Sequence, residues 1–294
     1  MATGTVYFFD NFDLGARLGF YRGKTEQRLE QAMRLSVAFE NTEGTRAGSG
    51  PVQVGWFLTE KKGGIIYDPP ERVRSVEVNR EHAKSASRCP AVINMESRYF
   101  MVKCPFDIHI GFARDKDGKG VLRNLAGTQS AIRASKLGDK LHLTNEVEWR
   151  TKGVPTIQLS LPYVFISDEP VYMSQISPFM HYNRDPLPGT IFGGRFPINV
   201  WPRPLMWAFE WHEPDKPIKI KRGDPLFYAG FETVSPDRSV VVTETEVTPE
   251  LTEYMDLISG AVNYVNQTFS LFEAAEERRP ETLLKPIARK RGKS

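Results

Sequence analysis

Cysteine is nearly absent: Cys89 and Cys104 are the only two in 294 residues. Two thiols make neither a disulfide framework nor a four-thiolate zinc site, so the sequence leaves at most one bridge and points to a reducing compartment. Long apolar runs are missing as well. No stretch approaches the roughly 20 residues needed to span a bilayer, and the N-terminus lacks a basic segment followed by an apolar core. Neither membrane insertion nor secretion is expected. The histidines, His82, His109, His142, His181 and His212, are dispersed, and none carries the His-x-Asp or His-x-Glu neighbour of an oxygenase metal motif. Asp115-Lys116-Asp117-Gly118 lacks the length and terminal glutamate of a calcium loop. Gly19 to Thr25 fails as a phosphate loop because Leu18 stands where glycine is needed. No metal and no cofactor is expected, and no Gly-x-Ser-x-Gly nucleophile elbow is found.

What is present is an ordinary folded composition, 40% apolar and 26% charged, away from the regime of disorder. The net charge of +3 is unevenly placed. From Arg278 to Ser294 seven basic residues stand against the single Glu281, so the rest of the chain is slightly acidic. A nucleic-acid-binding domain carries its basic face on its folded part. Here only the tail, with Arg289, Lys290 and Arg291, offers one, and such a tail equally serves as a solvated end or docks on an acidic partner.

Along the chain, Val6 to Phe9 reads as a short strand and Thr25 caps a helix through Val37. Gln53 to Leu58 and Gly64 to Tyr67 suit a hairpin across Lys61-Lys62-Gly63-Gly64. Tyr99 to Lys103 and Phe106 to Phe112 read as strands broken at Cys104-Pro105. Arg114 to Lys140 is polar and turn-rich, and reads as an inserted surface excursion. Further β-like runs follow at Leu141 to Trp149, Thr156 to Leu161, Tyr163 to Ile166, Met206 to Trp211, Ile218 to Ile220, Leu226 to Phe231 and Val240 to Thr245. Gly223 beside Asp224-Pro225 suggests that the Ile218 strand turns back as Leu226 to Phe231. Thr248 and Pro249 then start an amphipathic helix that keeps one apolar face to Pro280, with Gly260 as a place to kink. The expected architecture is mainly β, an antiparallel sandwich or jelly-roll-like fold, with a long C-terminal α-helix, α+β overall. Its parts are a β-rich domain over 1–247, with 114–140 as the insertion, a helix over 248–280 and a basic tail over 281–294.

The segments Cys89-Pro90-Ala91-Val92, Cys104-Pro105-Phe106-Asp107, Trp201-Pro202-Arg203-Pro204 with Ala208-Phe209-Glu210, and Ile218-Lys219-Ile220-Lys221-Arg222-Gly223-Asp224-Pro225-Leu226-Phe227-Tyr228 occur in that order. Together they resemble an uncharacterised group of proteins encoded by tailed bacteriophages, over residues 85 to 231. The resemblance implies a viral origin and expression in the cytoplasm of a bacterial host, with the virion as an alternative location. The group has no assigned activity, so it transfers no catalytic residue. A looser likeness of the Gly223-Asp224 turn to trimeric dUTPase-type β-folds lacks the water-activating aspartate and the phosphate loop of those enzymes.

Two sets of residues remain for chemistry or binding. Asp107, His109 and Asp224 are the polar groups that a nucleotide- or sugar-directed β-sandwich enzyme would use, if they converge in a pocket. Trp207, Phe209 and Trp211 share one strand face, where they either pack the core or, if exposed, stack bases or sugars. The leading expectation is a binding protein in preference to an enzyme. It would engage a protein partner or a second copy of itself, with nucleic acid through the basic tail as the alternative.

Overall fold

The computed structural model describes residues 50–60, 64–74, 85–130, 132–235, 238–261 and 268–287. The expected strand at Val6 to Phe9, the helix after Thr25 and the tail residues Arg289, Lys290 and Arg291 lie outside them. In chain order the strands are β1 (Val52–Leu58), β2 (Glu71–Arg72), β3 (Tyr99–Lys103), β4 (Ile108–Arg114), β5 (Gly120–Asn124), β6 (Leu141–Leu143), β7 (Thr156–Ser160) and β8 (Tyr163–Ile166). There follow β9 (Val171–Ile176), β10 (Thr190–Phe192), β11 (Arg195–Pro197), β12 (Met206–Glu210), β13 (Ile218–Ile220), β14 (Pro225–Thr233) and β15 (Val240–Glu244). They build sheets ordered β15-β1-β8, β10-β12-β7-β6, β11-β9-β14-β3-β2 and β13-β4-β5. The described residues are mostly β, and their ladders are antiparallel apart from β1 beside β15.

Alternation in the sequence decides which face of a strand is buried. In β13, Ile218 and Ile220 are buried while Lys219 is exposed. The inward residues of all four sheets meet in one core, where Trp56, Phe100, Ile108, Ile157, Tyr163, Phe227 and Phe231 are packed. β1 and β8 are buried on both faces. Their outer face, with Phe57, Val164 and Ile166, lies under the helices Pro249–Ala261 and Thr268–Glu276 and the segment around Leu283.

One long ribbon joins two of the sheets. β3 pairs with β14 in one sheet and β4 with β13 in another, yet the register holds through the bend. Lys103 faces Pro225 and, five residues further on, Ile108 faces Ile220. Pro105 has no N–H to give to a ladder, so the strand bends there. Opposite it, Gly223 takes φ +88°, a conformation that favours glycine. Across the corner, the Gly223 N–H donates to the Cys104 carbonyl at 2.9 Å and the Cys104 N–H donates to the Asp224 carbonyl at 2.8 Å.

Four expectations need correction. The Ile218 strand does not form a hairpin with Leu226 to Phe231. The Gly223 turn is there, but it carries the chain from one sheet into the next. Residues 64–67 are not a strand, and β1 instead pairs with β8 and β15. The stretch 114–140 is not a bare excursion. β5 returns along β4 after the Asp115–Gly118 turn, and the helix Ala134–Lys140 buries Leu137. The long C-terminal helix is also not found. Instead, the described residues hold the separate helices Pro249–Ala261 and Thr268–Glu276. The Tyr254 hydroxyl lies 2.7 Å from the Val200 carbonyl and 3.0 Å from that of Ala275. In a straight helix Tyr254 and Ala275 would stand about 30 Å apart, so the apolar face folds back onto the sheet.

The chain after the second helix is strapped down. Arg279 donates to the carbonyls of Asn199 and Asp168 at 2.6 and 2.9 Å. Asp168 in turn accepts the backbone N–H of Leu283 at 2.6 Å. Pro286 then bridges to Thr245, extending the β15 side of its sheet.

Candidate functional site

The corner of the bent ribbon and the loop that follows β9 frame a cleft. β9 runs antiparallel to β14 up to Tyr228 opposite Ile176. Pro178 then turns the chain away, because proline cannot donate the next ladder bond. The space beside Leu226, Asp224 and Lys219 is left without a neighbouring strand. The resulting cleft of roughly 290 Å³ is lined by Pro178, Leu187, Ile191, Lys219, Asp224 and Leu226, among others. Its size is at the small end of ligand-sized clefts.

The loop presents aromatic rings at the rim. Phe179 is 55% exposed and Tyr182 88%. The Phe179 ring is held edge-on against Tyr99 and Tyr228, each at 5.6 Å between centroids, which fixes an exposed ring in place. On the far wall Gly189 passes so close to β12 that a Cβ there would meet the Glu210 carbonyl oxygen at 2.0 Å. Beside it the Glu210 carboxylate, 1% exposed, is gripped by Arg150. Those hydrogen bonds hold its carboxyl below the usual carboxylate range. The Arg150 guanidinium also lies over the Phe192 ring at 5.1 Å.

The carboxylates singled out in the sequence are both turn-formers. Asp107 accepts the Arg222 N–H at 2.7 Å and Asp224 accepts the Lys221 N–H at 2.8 Å. Asp224 lines the cleft, whereas Asp107 and His109 are not among the lining residues. His109 stands across from Lys219 in the β4–β13 ladder. Between the aspartates lies Cys104, fully buried, its thiol pushed up to about 12 by burial and further by Asp224 and Asp107. It is therefore protonated near neutrality and is not a nucleophile. Cys89 is exposed, and both cysteines are free. Among the described residues no three His, Cys, Asp or Glu side chains gather as a metal site, and no helix is long and apolar enough to cross a membrane.

Trp207, Phe209 and Trp211 are core residues, and of the three Phe209 also lines the cleft. All three are at most 1% exposed. Trp207 stacks on Phe209 at 5.3 Å, and the Trp211 indole N–H donates to the Lys216 carbonyl at 3.0 Å. Rings sealed in a core cannot stack bases, and among the described aromatic residues Phe179 and Tyr182 are the most exposed. Sequence reasoning passed over them because a single aromatic in a loop has no periodicity. The only local signal was the proline-rich punctuation of the loop around Asp185-Pro186-Leu187-Pro188-Gly189. No protein-family model, no curated protein and no solved structure matches the chain.

Proposed function

We propose that this chain is a phage-encoded interaction protein, a β-sandwich-like scaffold that binds a protein partner through the loop following β9 and the cleft beneath it. The observation that carries the reading is the exposed, immobilised ring of Phe179 at the rim of an apolar cleft. An exposed aromatic held in one orientation binds with little entropy still to lose, which is how interface anchors behave. The enzyme reading gains nothing comparable, since Asp107 and Asp224 already accept backbone N–H groups.

The test is hydrodynamic and chemical. Light scattering on the purified full chain, alongside cross-linking in infected host cells, is expected to find either an assembly larger than the 33.4 kDa monomer or a partner cross-linked to the β9 loop. Phe179→Ser is expected to remove the assembly or the cross-link while the chain stays folded. A monomer with no cross-linked partner overturns the reading.

A further inference from the structure

β13 is an edge strand whose outward backbone groups face the cleft. In an antiparallel ladder, successive residues turn their N–H and C=O alternately toward one neighbour and the other. The His109 carbonyl accepts the Leu125 N–H at 2.8 Å, so His109 faces β5, while Ile108 and Ile110 face β13. Their partners are Ile220 and Ile218. The residue between, Lys219, therefore turns its N–H and C=O away from β4, toward the side where the sheet ends and the cleft begins.

The opposite wall repeats the pattern. The Trp211 N–H donates to the Pro155 carbonyl at 2.8 Å, and Leu205 bonds the backbone of Leu161 and Tyr163, so the odd-numbered residues of β12 face β7. The even ones, Ala208 and Glu210, face Phe192 and Thr190 of β10. Ile191, between those two, turns its backbone groups the other way, and β10 too is an edge strand. Lys219 and Ile191 both line the cleft.

Resting on the interaction reading above, we propose that the cleft receives an extended peptide segment of the partner, which adds as a strand to the free edge of β13 by bonding the N–H and C=O of Lys219. The chemistry of the segment follows from the face pattern. Residues on the side of Ile218 and Ile220 enter the cleft between Leu187, Ile191 and Leu226, so they are apolar. The residue across from Lys219 lies on the outward face beside its exposed ammonium, which has no ion-pair partner among the described residues, so it is acidic. Asp107 and Asp224 lie further along at the corner, where backbone N–H groups engage them, and they disfavour additional acid at that end. The segment thus alternates apolar and acidic residues, and is read mainly through its backbone.

The experiment uses the full chain and a fluorescent peptide of roughly eight residues alternating valine and glutamate, with its valine–lysine counterpart as the comparison. Anisotropy is expected to show the glutamate peptide binding at least tenfold more tightly. Lys219→Pro deletes an N–H that β4 does not use together with the ammonium, so it is compared with Lys219→Ala, which deletes the ammonium alone, and edge strands accept proline there. Relative to Lys219→Ala, Lys219→Pro is expected to weaken the glutamate peptide about tenfold, the worth of one hydrogen bond, with unchanged near-ultraviolet circular dichroism. Lys219→Glu is expected to reverse the peptide preference. N-methylating the peptide at the bonding positions should abolish binding without touching the protein. Equal binding of both peptides, or no binding of either, overturns the proposal, as does indifference to N-methylation. Because this assay reads the edge alone, the edge proposal can fail while a partner is still cross-linked at Phe179. Conversely, a monomer without partners fails the broader reading.

Discussion

The carboxylate of Asp107 accepts the backbone N–H of Arg222 at 2.7 Å, joining the two arms of the ribbon's corner, 115 residues apart in the chain. Asp107→Ala is expected to lower stability by about 1 kcal/mol, read as a lower urea midpoint, while Asp107→Asn keeps an acceptor and most of the stability. His109→Ala should change it by no more than about 0.5 kcal/mol. A larger effect of His109 than of Asp107 would show that the corner is held by something else.

Tyr254 holds the fold-back of the two C-terminal helices. Its hydroxyl has one proton and two carbonyls within reach, of Val200 and Ala275. Tyr254→Phe leaves both with one donor fewer in a buried site and is expected to cost about 1–2 kcal/mol. An unaltered thermal midpoint would count against this anchoring.

Stability should fall in alkali. Burial pushes the hydroxyls of Tyr67 and Tyr254 from the ordinary 10.0 up to about 12, with Glu60 adding to the first. Burial raises Tyr163 in the same direction. In the unfolded chain these groups ionise near pH 10, so their contribution is complete below that value and is lost as pH climbs through about 12. Urea titrations at stepped pH should show a plateau near neutrality and a decline above pH 10. A curve that rises there would contradict the burial of these groups.

The two cysteines should differ sharply toward a thiol reagent. Cys89 is exposed and Cys104 is fully buried with a raised thiol, so Cys89 reacts at once and Cys104 only on unfolding. Mass spectrometry of the native chain should find one label.

Two neighbouring tryptophans separate packing from hydrogen bonding. Trp211 donates its N–H to Lys216, whereas the buried Trp207 N–H has no protein partner among the described residues. Replacing either with phenylalanine removes similar volume, but only Trp211→Phe leaves a carbonyl without its donor. The Trp211 variant should be less stable than the Trp207 variant by about 1 kcal/mol.

The strands were legible where alternation or β-branched clusters run on, as in β3, β8, β13 and β15, because burial of one face forces period two. Their pairing was not. A turn as plain as Lys221-Arg222-Gly223-Asp224 says that the chain bends, yet whether the next strand returns beside the last depends on residues 115 positions away. β10 and β11 were missed because three-residue strands among glycine and proline carry little local signal, and β9 because its alternation sets polar Tyr172, Ser174 and Gln175 among few β-branched residues. The C-terminal apolar face reads as continuous, and periodicity alone cannot show that Tyr254 meets Ala275. The same holds for the site: Asp224 was legible at its turn beside Gly223, Asp107 was read into the strand Phe106 to Phe112 although the strand begins at Ile108, and the edge of Lys219 is a property of who pairs with whom.

The pairing of β3 and β4 with β14 and β13 also governs how the protein comes off the ribosome. β3 and β4 are synthesised more than 100 residues before β13 and β14 reach them, a wait of about 10 s at ordinary translation rates. Over that interval β3 and β4 have β2 and β5 along one edge and no mate along the other. Folding speed should accordingly track the arrival of residues 218–230, and ribosome stalling just upstream of Ile218 should leave a sticky, aggregation-prone intermediate.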